Sequence, residues 1–237
     1  MNQKNEPDRS LFDTPFSAKY WKLAALEMKS TRVLVLAGIL TALRIAVKSL
    51  SIPIGPSLNI TFGFIINALG SLIYGPIVAI FTSAISDTLG AMLFPTGTYF
   101  FPFIFEEIAG GVIFALFYYR AKITTLRVML GRFAVTVLVN LMISPVIMIY
   151  YYKMILGKSY TFFTMPRMIK NLVMFPIQSL ILVLLFGALL PHTNRMNLTY
   201  TGTTSLKFTK KDVLVLILLT VVSALAIVFY YWYKGLS

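Results

Sequence analysis

Apolar residues run through this chain in long blocks, without the alternation of strands or the narrow stripes of surface helices. Seven blocks stand out, at 33–50, 59–75, 76–94, 101–120, 129–151, 168–190 and 213–233. Their lengths suit helices that cross a bilayer, which need about 20 mostly apolar residues. The second and third blocks are parted only by Tyr74, Gly75 and Pro76. Pro ends one helix and suits the first turn of the next, so this break predicts a tight helical hairpin. Ahead of the first block, residues 1–32 are polar and mixed in charge. No cleavable signal peptide is visible there, because the apolar stretch comes too late. Within it, Trp21, Leu23, Ala24, Ala25 and Leu26 fit a short helix lying in the membrane interface. The last block is detached by a polar linker, 191–212, and Asp212 is placed to cap its helix. The expected architecture is an all-α integral membrane protein. It has an N-terminal segment (1–32), a six-helix bundle (33–190), the linker, and one additional C-terminal transmembrane helix (213–237).

Composition narrows the classes. Of 237 residues, 58% are apolar and 12% charged, and the mean hydropathy is +0.81. Soluble domains carry about 25% charged residues. A soluble enzyme, a disordered chain and a coiled coil are excluded. The chain has no Cys, which removes thiolate metal sites, disulfides and thiol catalysis. Its one His, His192, follows Pro191 at the end of an apolar block, so no His-based metal cluster is expected. No cofactor is expected either.

The charge is strongly positive: 21 Lys and Arg against 8 Asp and Glu. In a soluble protein this would suggest nucleic acid. Here it reads as topology, with no nucleic-acid partner, because cations collect in cytoplasmic loops. With the N-terminus inside, the inner segments hold Lys4, Arg9, Lys19, Lys22, Lys29, Arg32, Arg120, Lys122, Arg127, Arg132, Arg195, Lys207, Lys210 and Lys211. The outer segments hold only Lys153, Lys158, Arg167, Lys170 and Lys234. A multi-pass protein of the cell membrane with a cytoplasmic N-terminus is expected. Four of those outer cations fall in one loop, between the fifth and sixth helices. An outer basic loop opposes the rule, so another use for it is expected.

Charges inside spans are functional candidates, since each costs about 2.5–3.5 kcal/mol at the bilayer centre. In the first span Gly38, Ala42 and Ala46 recur every fourth residue, giving a small-residue stripe on which another helix can dock or pack. Arg44 and Lys48 lie on the opposite face, and Lys48 could instead snorkel to the interface. Asp87, amid Ser83, Ser86 and Thr88, suits an internal pair, with Arg44 as the candidate partner. Glu106 and Glu107 start the fourth span, where a helix dipole favours acids. Alternatively one of them accepts paired N–H donors from a ligand ring, in space left by Gly110 and Gly111. Asn67 lies on the polar side of the second span, and Asn140, Ser144, Asn171 and Gln178 punctuate the fifth and sixth. These can bond between helices or line a cavity. Two outer loops, 49–64 and 94–103, are uncharged; the second, with Phe94, Tyr99 and Phe100, suits either bilayer anchoring or a lid over a flat ring. There is no phosphate-binding GxxxxGK[ST], no HExxH and no GxSxG.

The stretch ITFGFIINALGSLIYGPIVAIFTSAISDTLGAMLFPTGTYFFPF (60–103) resembles the S components of energy-coupling factor (ECF) vitamin transporters, with its closest likeness to the folate-specific branch. The matching pieces are Phe62–Phe64, the Tyr74–Pro76 turn, Asp87–Gly90 and the Phe94–Pro102 loop. After that loop the chain departs from the family pattern, and the last helix lies beyond the usual six. The resemblance implies an S-component-like bundle that binds folate or a related vitamin and joins a T transmembrane subunit and two ATPases in a bacterial membrane. Arg44, Asn67, Phe94, Tyr99, Phe100, Glu106, Glu107 and Lys170 are the expected substrate-binding residues; Gly38, Ala42 and Ala46 are the expected docking stripe. Such a chain is a transport subunit and not an enzyme. Competing readings are an S component for another vitamin or a modified-nucleobase precursor, a membrane enzyme using Asp87, Glu106 and Glu107, and a membrane scaffold. The enzyme lacks a nucleophile–base set or metal ligands, and the scaffold leaves the uncharged outer loops unexplained.

Overall fold

A computed structural model describes residues 10–50, 52–55, 58–95, 97–202, 206 and 209–236. Expectations that concern Lys4, Arg9 and Lys207 lie outside the described residues. The interfacial helix is present as α1 (Ala18–Glu27), capped by the Ser17 hydroxyl, which accepts from Tyr20 N–H. Ser30 caps α2 (Thr31–Lys48) in the same way. The two helices meet at a 77° bend. Tyr20 and Ala24 of α1 are buried against Ala115 and Tyr119, and the Tyr20 hydroxyl donates to Ala115 O at 3.1 Å.

The uncharged loop after α2 carries a short antiparallel ribbon, β1 (Ile52–Gly55) and β2 (Leu58–Ile60). Then comes α3 (Gly63–Leu93), whose helical run is broken at Gly75, with φ 73° and ψ −177°. The chain reverses there. A straight helix would hold Asn67 and Ser83 about 24 Å apart at 1.5 Å per residue. Instead one nitrogen of Arg44 bonds both, at 3.4 and 3.2 Å. Near the turn, Thr82 donates to the Tyr74 hydroxyl at 3.1 Å, joining the two arms, 63–74 and 76–93. The expected hairpin is therefore observed. Its backbone belongs to a region that essentially only glycine enters, and a Cβ at Gly75 would meet the Tyr119 ring at 3.0 Å.

The remaining elements are α4 (Phe103–Tyr118), α5 (Thr125–Ala134), a wider π-type segment (Val135–Ile143), α6 (Ser144–Ile155), α7 (Met165–Arg195) and α8 (Lys210–Leu236). From α5 to α6 the helix is continuous over Thr125–Ile155. Pro145, which has no N–H to give to the preceding turn, follows the π segment. Among the described residues, four helices are long and apolar enough to cross a membrane, and a fifth if α1 and α2 count together across their bend. Because Gly63–Leu93 reverses at Gly75, its two arms are separate segments, and α2, these arms, α4, Thr125–Ile155, α7 and α8 stand where the seven apolar blocks predict helices. The first arm of α3 starts at Gly63 and the 16-residue α4 at Phe103, and both of these residues line a cavity. The cap of α8 is corrected. Thr209 caps it, and Asp212 returns the bond: Thr209 N–H donates to Asp212 at 2.8 Å and Asp212 N–H to Thr209 at 3.3 Å.

The buried core lies among α3, α4, α5 and α7, with Leu72, Phe114, Tyr118, Met129, Leu182 and Phe186 at its centre. Ile39, Leu43, Phe81, Ile85, Val173 and Leu184 face outward, as a lipid solvent allows. Polar groups lie inside. Gly75→Ala is expected to lower stability by roughly 1–3 kcal/mol. An unchanged thermal midpoint in detergent would show that the reversal tolerates a side chain.

Candidate functional site

The polar residues of the six core segments converge on one cavity of about 410 Å³. That size is in the range of small-molecule sites. Its first wall is made by α2, both arms of α3 and the start of α4. Arg44, on α2, donates to Asn67, Ser83 and Glu107, so one guanidinium ties four helical segments together. One turn outward, Lys48 pairs with Asp87 at 3.3 Å. The expected Asp87–Arg44 pair is corrected, and Lys48 is paired where snorkelling was the alternative. The exchange has a simple geometric origin. Each cation meets the acid at its own height, Arg44 with Glu107 and Lys48 with Asp87. Gly111 makes this closeness possible, since a Cβ there would lie 2.6 Å from Ser83 Oγ and 3.2 Å from Asn67 Oδ1.

The second wall is made by α5, the π segment, α6 and α7. Arg132, Asn140, Ser144, Arg167, Lys170, Asn171 and Gln178 line it. Arg167 is 6% exposed and donates to Ser144 Oγ at 2.8 Å. Asn140 donates to Asn171 at 2.8 Å, and Asn171 to Arg167 O at 2.9 Å. Several buried polar atoms of lining residues have no hydrogen-bond partner: Nε of Arg132 and of Arg167, Oε1 of Gln178 and Oδ2 of Asp87. Native interiors leave few such groups.

Among the described lining residues, the cations are Arg44, Lys48, Arg132, Arg167 and Lys170 and the acids are Asp87, Glu106 and Glu107. The cavity therefore has an excess of two positive charges. On the first wall each cation has its carboxylate, so the excess lies on the second.

Five of the expected substrate-binding residues line this cavity: Arg44, Asn67, Glu106, Glu107 and Lys170. Phe94, Tyr99 and Phe100 are not among its lining residues. Phe94 and Tyr99 are exposed at the outer loop, where the Tyr99 hydroxyl lies 3.4 Å from that of Thr88. Phe100 packs edge-on against Phe103 and Tyr151, with centroids 5.9 and 5.6 Å away. Phe103 is the ring of this cluster that reaches the cavity. Glu107 is not an unoccupied acceptor, because Arg44 holds it.

From their place near span ends, Arg132 and Arg167 are expected as loop cations. Both are buried in the cavity wall instead. The only available signal was helical spacing: Arg167, Lys170, Asn171, Met174 and Gln178 recur at three or four residues, one face of a helix. The apparently basic outer loop keeps Lys153 and Lys158, both exposed. The stripe of Gly38, Ala42 and Ala46 is exposed along its length, and a Cβ on Gly38 would meet nothing within 4 Å. Beside it runs an apolar groove of about 410 Å³, between α2 and the second arm of α3.

The family model for the ECF-type riboflavin transporter S component matches residues 28–195. A protein named folate transporter FolT from Clostridium novyi (strain NT) is 34% identical over 156 residues, which is 65% of this chain and 88% of that one. A folate transporter FolT from Leuconostoc mesenteroides subsp. mesenteroides is 30% identical over 168 residues, 70% of this chain and 90% of that one. A crystal structure of FolT bound with folic acid superposes with a TM-score of 0.57 at 32% identity, covering 63% of this chain and 88% of that chain.

Removing one member of a partly buried ion pair strands the other, whereas removing both need not. Arg44→Met and Glu107→Leu are each expected to lower the unfolding midpoint more than the double substitution does. Simple addition of the two losses would show that the pair carries no coupling.

Proposed function

The chain belongs to the S components of ECF-type transporters, and from that membership and the charge of its cavity we propose that it binds folate for uptake across the cell membrane. It is a substrate-binding transport subunit and not an enzyme, and the family works with a T subunit and ATPases.

The observation that carries the choice of ligand is the excess of two positive charges. Folate carries two tail carboxylates at neutral pH, while riboflavin, the ligand in the description of the matching family model, carries none. An anion entering such a cavity removes the repulsion among its cations as well as gaining their attraction. Arg167 and Lys170, on the first turns of α7, suit the tail; Arg guanidinium groups take carboxylates in a bidentate fork. The two relatives named folate transporters support the same reading.

The partner surface of this reading is the exposed stripe Gly38, Ala42 and Ala46, where small residues let another helix approach closely. The orientation has the N-terminus in the cytoplasm. One end of the bundle gathers the N-terminal segment, the α4–α5 loop and the end of α7, joined by bonds from Phe12 N–H to Arg120 O, Arg127 to Asp13 O and Arg32 to Met196 O. That end carries Lys19, Lys22, Lys29, Lys122, Arg195, Lys210 and Lys211 as well, which fits cytoplasmic loops. In this reading α8 is an additional span packed on α7 and α5.

Purified in detergent, the full chain is expected to retain a folate detectable by mass spectrometry and to bind added folate but not riboflavin. Riboflavin binding without folate binding would overturn the proposal. Ala42→Leu and Ala46→Leu are expected to weaken assembly with the T subunit and ATPases while folate binding persists. Loss of binding with assembly intact would refute the docking role.

A further inference from the structure

The cations of the cavity are not equivalent. Arg44 has Glu107, Lys48 has Asp87, and Arg167 has the Ser144 hydroxyl. Arg132 is 5% exposed and lines the same cavity, yet no ion pair among the described residues includes it, and its Nε has no hydrogen-bond partner. Its guanidinium carbon lies 5.4 Å from the centroid of the Phe64 ring, which also lines the cavity. On the same wall Gln178, 9% exposed, has an Oε1 with no partner. The two side chains belong to one seam. The rings of Phe133 and Phe175, beside Arg132 and one turn before Gln178, pack α5 against α7 with centroids 5.5 Å apart.

Two unmade donors, Nε of Arg132 and of Arg167, and an unmade acceptor, Gln178 Oε1, in one buried wall constrain the chemistry of what fills it. A carboxylate or phosphate would satisfy Arg132 but face Gln178 Oε1 with another acceptor. An ammonium would do the reverse. A ring edge that offers acceptors followed by a donor satisfies both, in the way a guanidinium reads the carbonyl and adjacent ring nitrogen of guanine. Pterin has such an edge, with a ring nitrogen, the carbonyl oxygen and a ring N–H in succession. Phe64 supplies an apolar face beside the guanidinium.

We propose, building on the folate reading above, that Arg132 and Gln178 read the lactam edge of the ligand's ring: the guanidinium donates to the ring carbonyl and its neighbouring nitrogen, and Gln178 Oε1 accepts from the ring N–H. The ring end of the ligand is then held by α5 and α7, and the tail by Arg167 and Lys170. This replaces the glutamates as the groups that read the ring.

The test compares folate with 4-amino-4-deoxyfolate, in which an amino group replaces the carbonyl, and with p-aminobenzoylglutamate, which lacks the ring. All are titrated against the full chain in detergent. The unsubstituted chain is expected to prefer folate over the 4-amino analogue by about tenfold or more, the scale of one bidentate guanidinium contact. Arg132→Lys and Gln178→Leu are expected to erase most of that preference by weakening folate alone. Neither should change the affinity for p-aminobenzoylglutamate. Equal affinity of the unsubstituted chain for folate and the 4-amino analogue would overturn the inference without any variant having to fold. So would a loss of p-aminobenzoylglutamate binding in Arg132→Lys, which would put the tail at Arg132. A chain that binds folate but shows no such discrimination sinks only this inference; a chain that binds no folate sinks the folate reading and this one with it.

Discussion

Arg44 is the group on which the rest of the bundle depends. A guanidinium within a membrane bundle is costly unless its charge and its donors are met. Here they are met by Glu107, Asn67 and Ser83, which come from α4 and from both arms of α3. The arms can present their side chains to one nitrogen only because the chain reverses at Gly75, and α4 can come close only because Gly111 has no side chain. The ion pair, the hairpin and the two glycines are therefore one structural unit. It brings the charge of α2 to the middle of the molecule and fixes one wall of the cavity.

On that wall both cations meet carboxylates, and the opposite wall carries three cations and no acid among the described lining residues. Arg132, Arg167 and Lys170 share the second wall, facing Glu106 across the cavity. The charge that ties the helices together and the cluster of Arg132, Arg167 and Lys170 are thus separated in space. The first kind is satisfied within the chain and holds helices together. The second kind is left with unmade bonds, at Arg132, Arg167 and Gln178, that an anionic ligand with a polar ring can make. The outer surface obeys the opposite rule, with apolar residues toward lipid and a small-residue stripe exposed on α2. Such a distribution suits a subunit that captures a polar solute within a bilayer and depends on partners for energy.

Much of this was legible from the chain alone. The apolar blocks gave the helical class, and Tyr74–Pro76 marked the reversal between two of them. Arg44, Asn67, Glu106, Glu107 and Lys170 stood out as polar residues in or beside apolar spans, and all five reach the cavity. The aromatic outer loop was less informative. Phe94, Tyr99 and Phe100 have the composition of a lid, but composition does not say which ring faces inward, and it is Phe103 that does. Arg132 and Arg167 read as loop cations in the sequence because a residue near the end of a span looks like a loop charge. Arg132 lies within its apolar block, near the start, and Arg167 stands just before its block but inside α7, which begins at Met165.

The sequence by itself determined the solvent of this protein, its helical class, its family and the overall bias of its charge. Those depend on properties that each segment carries locally: length, apolarity and turn chemistry. The tertiary structure decided which opposite charges meet and which are left for a ligand. Pairing is set by where side chains from distant segments stand along the membrane normal. Arg44 found Glu107 and Lys48 found Asp87 across separations that no periodicity within one helix encodes.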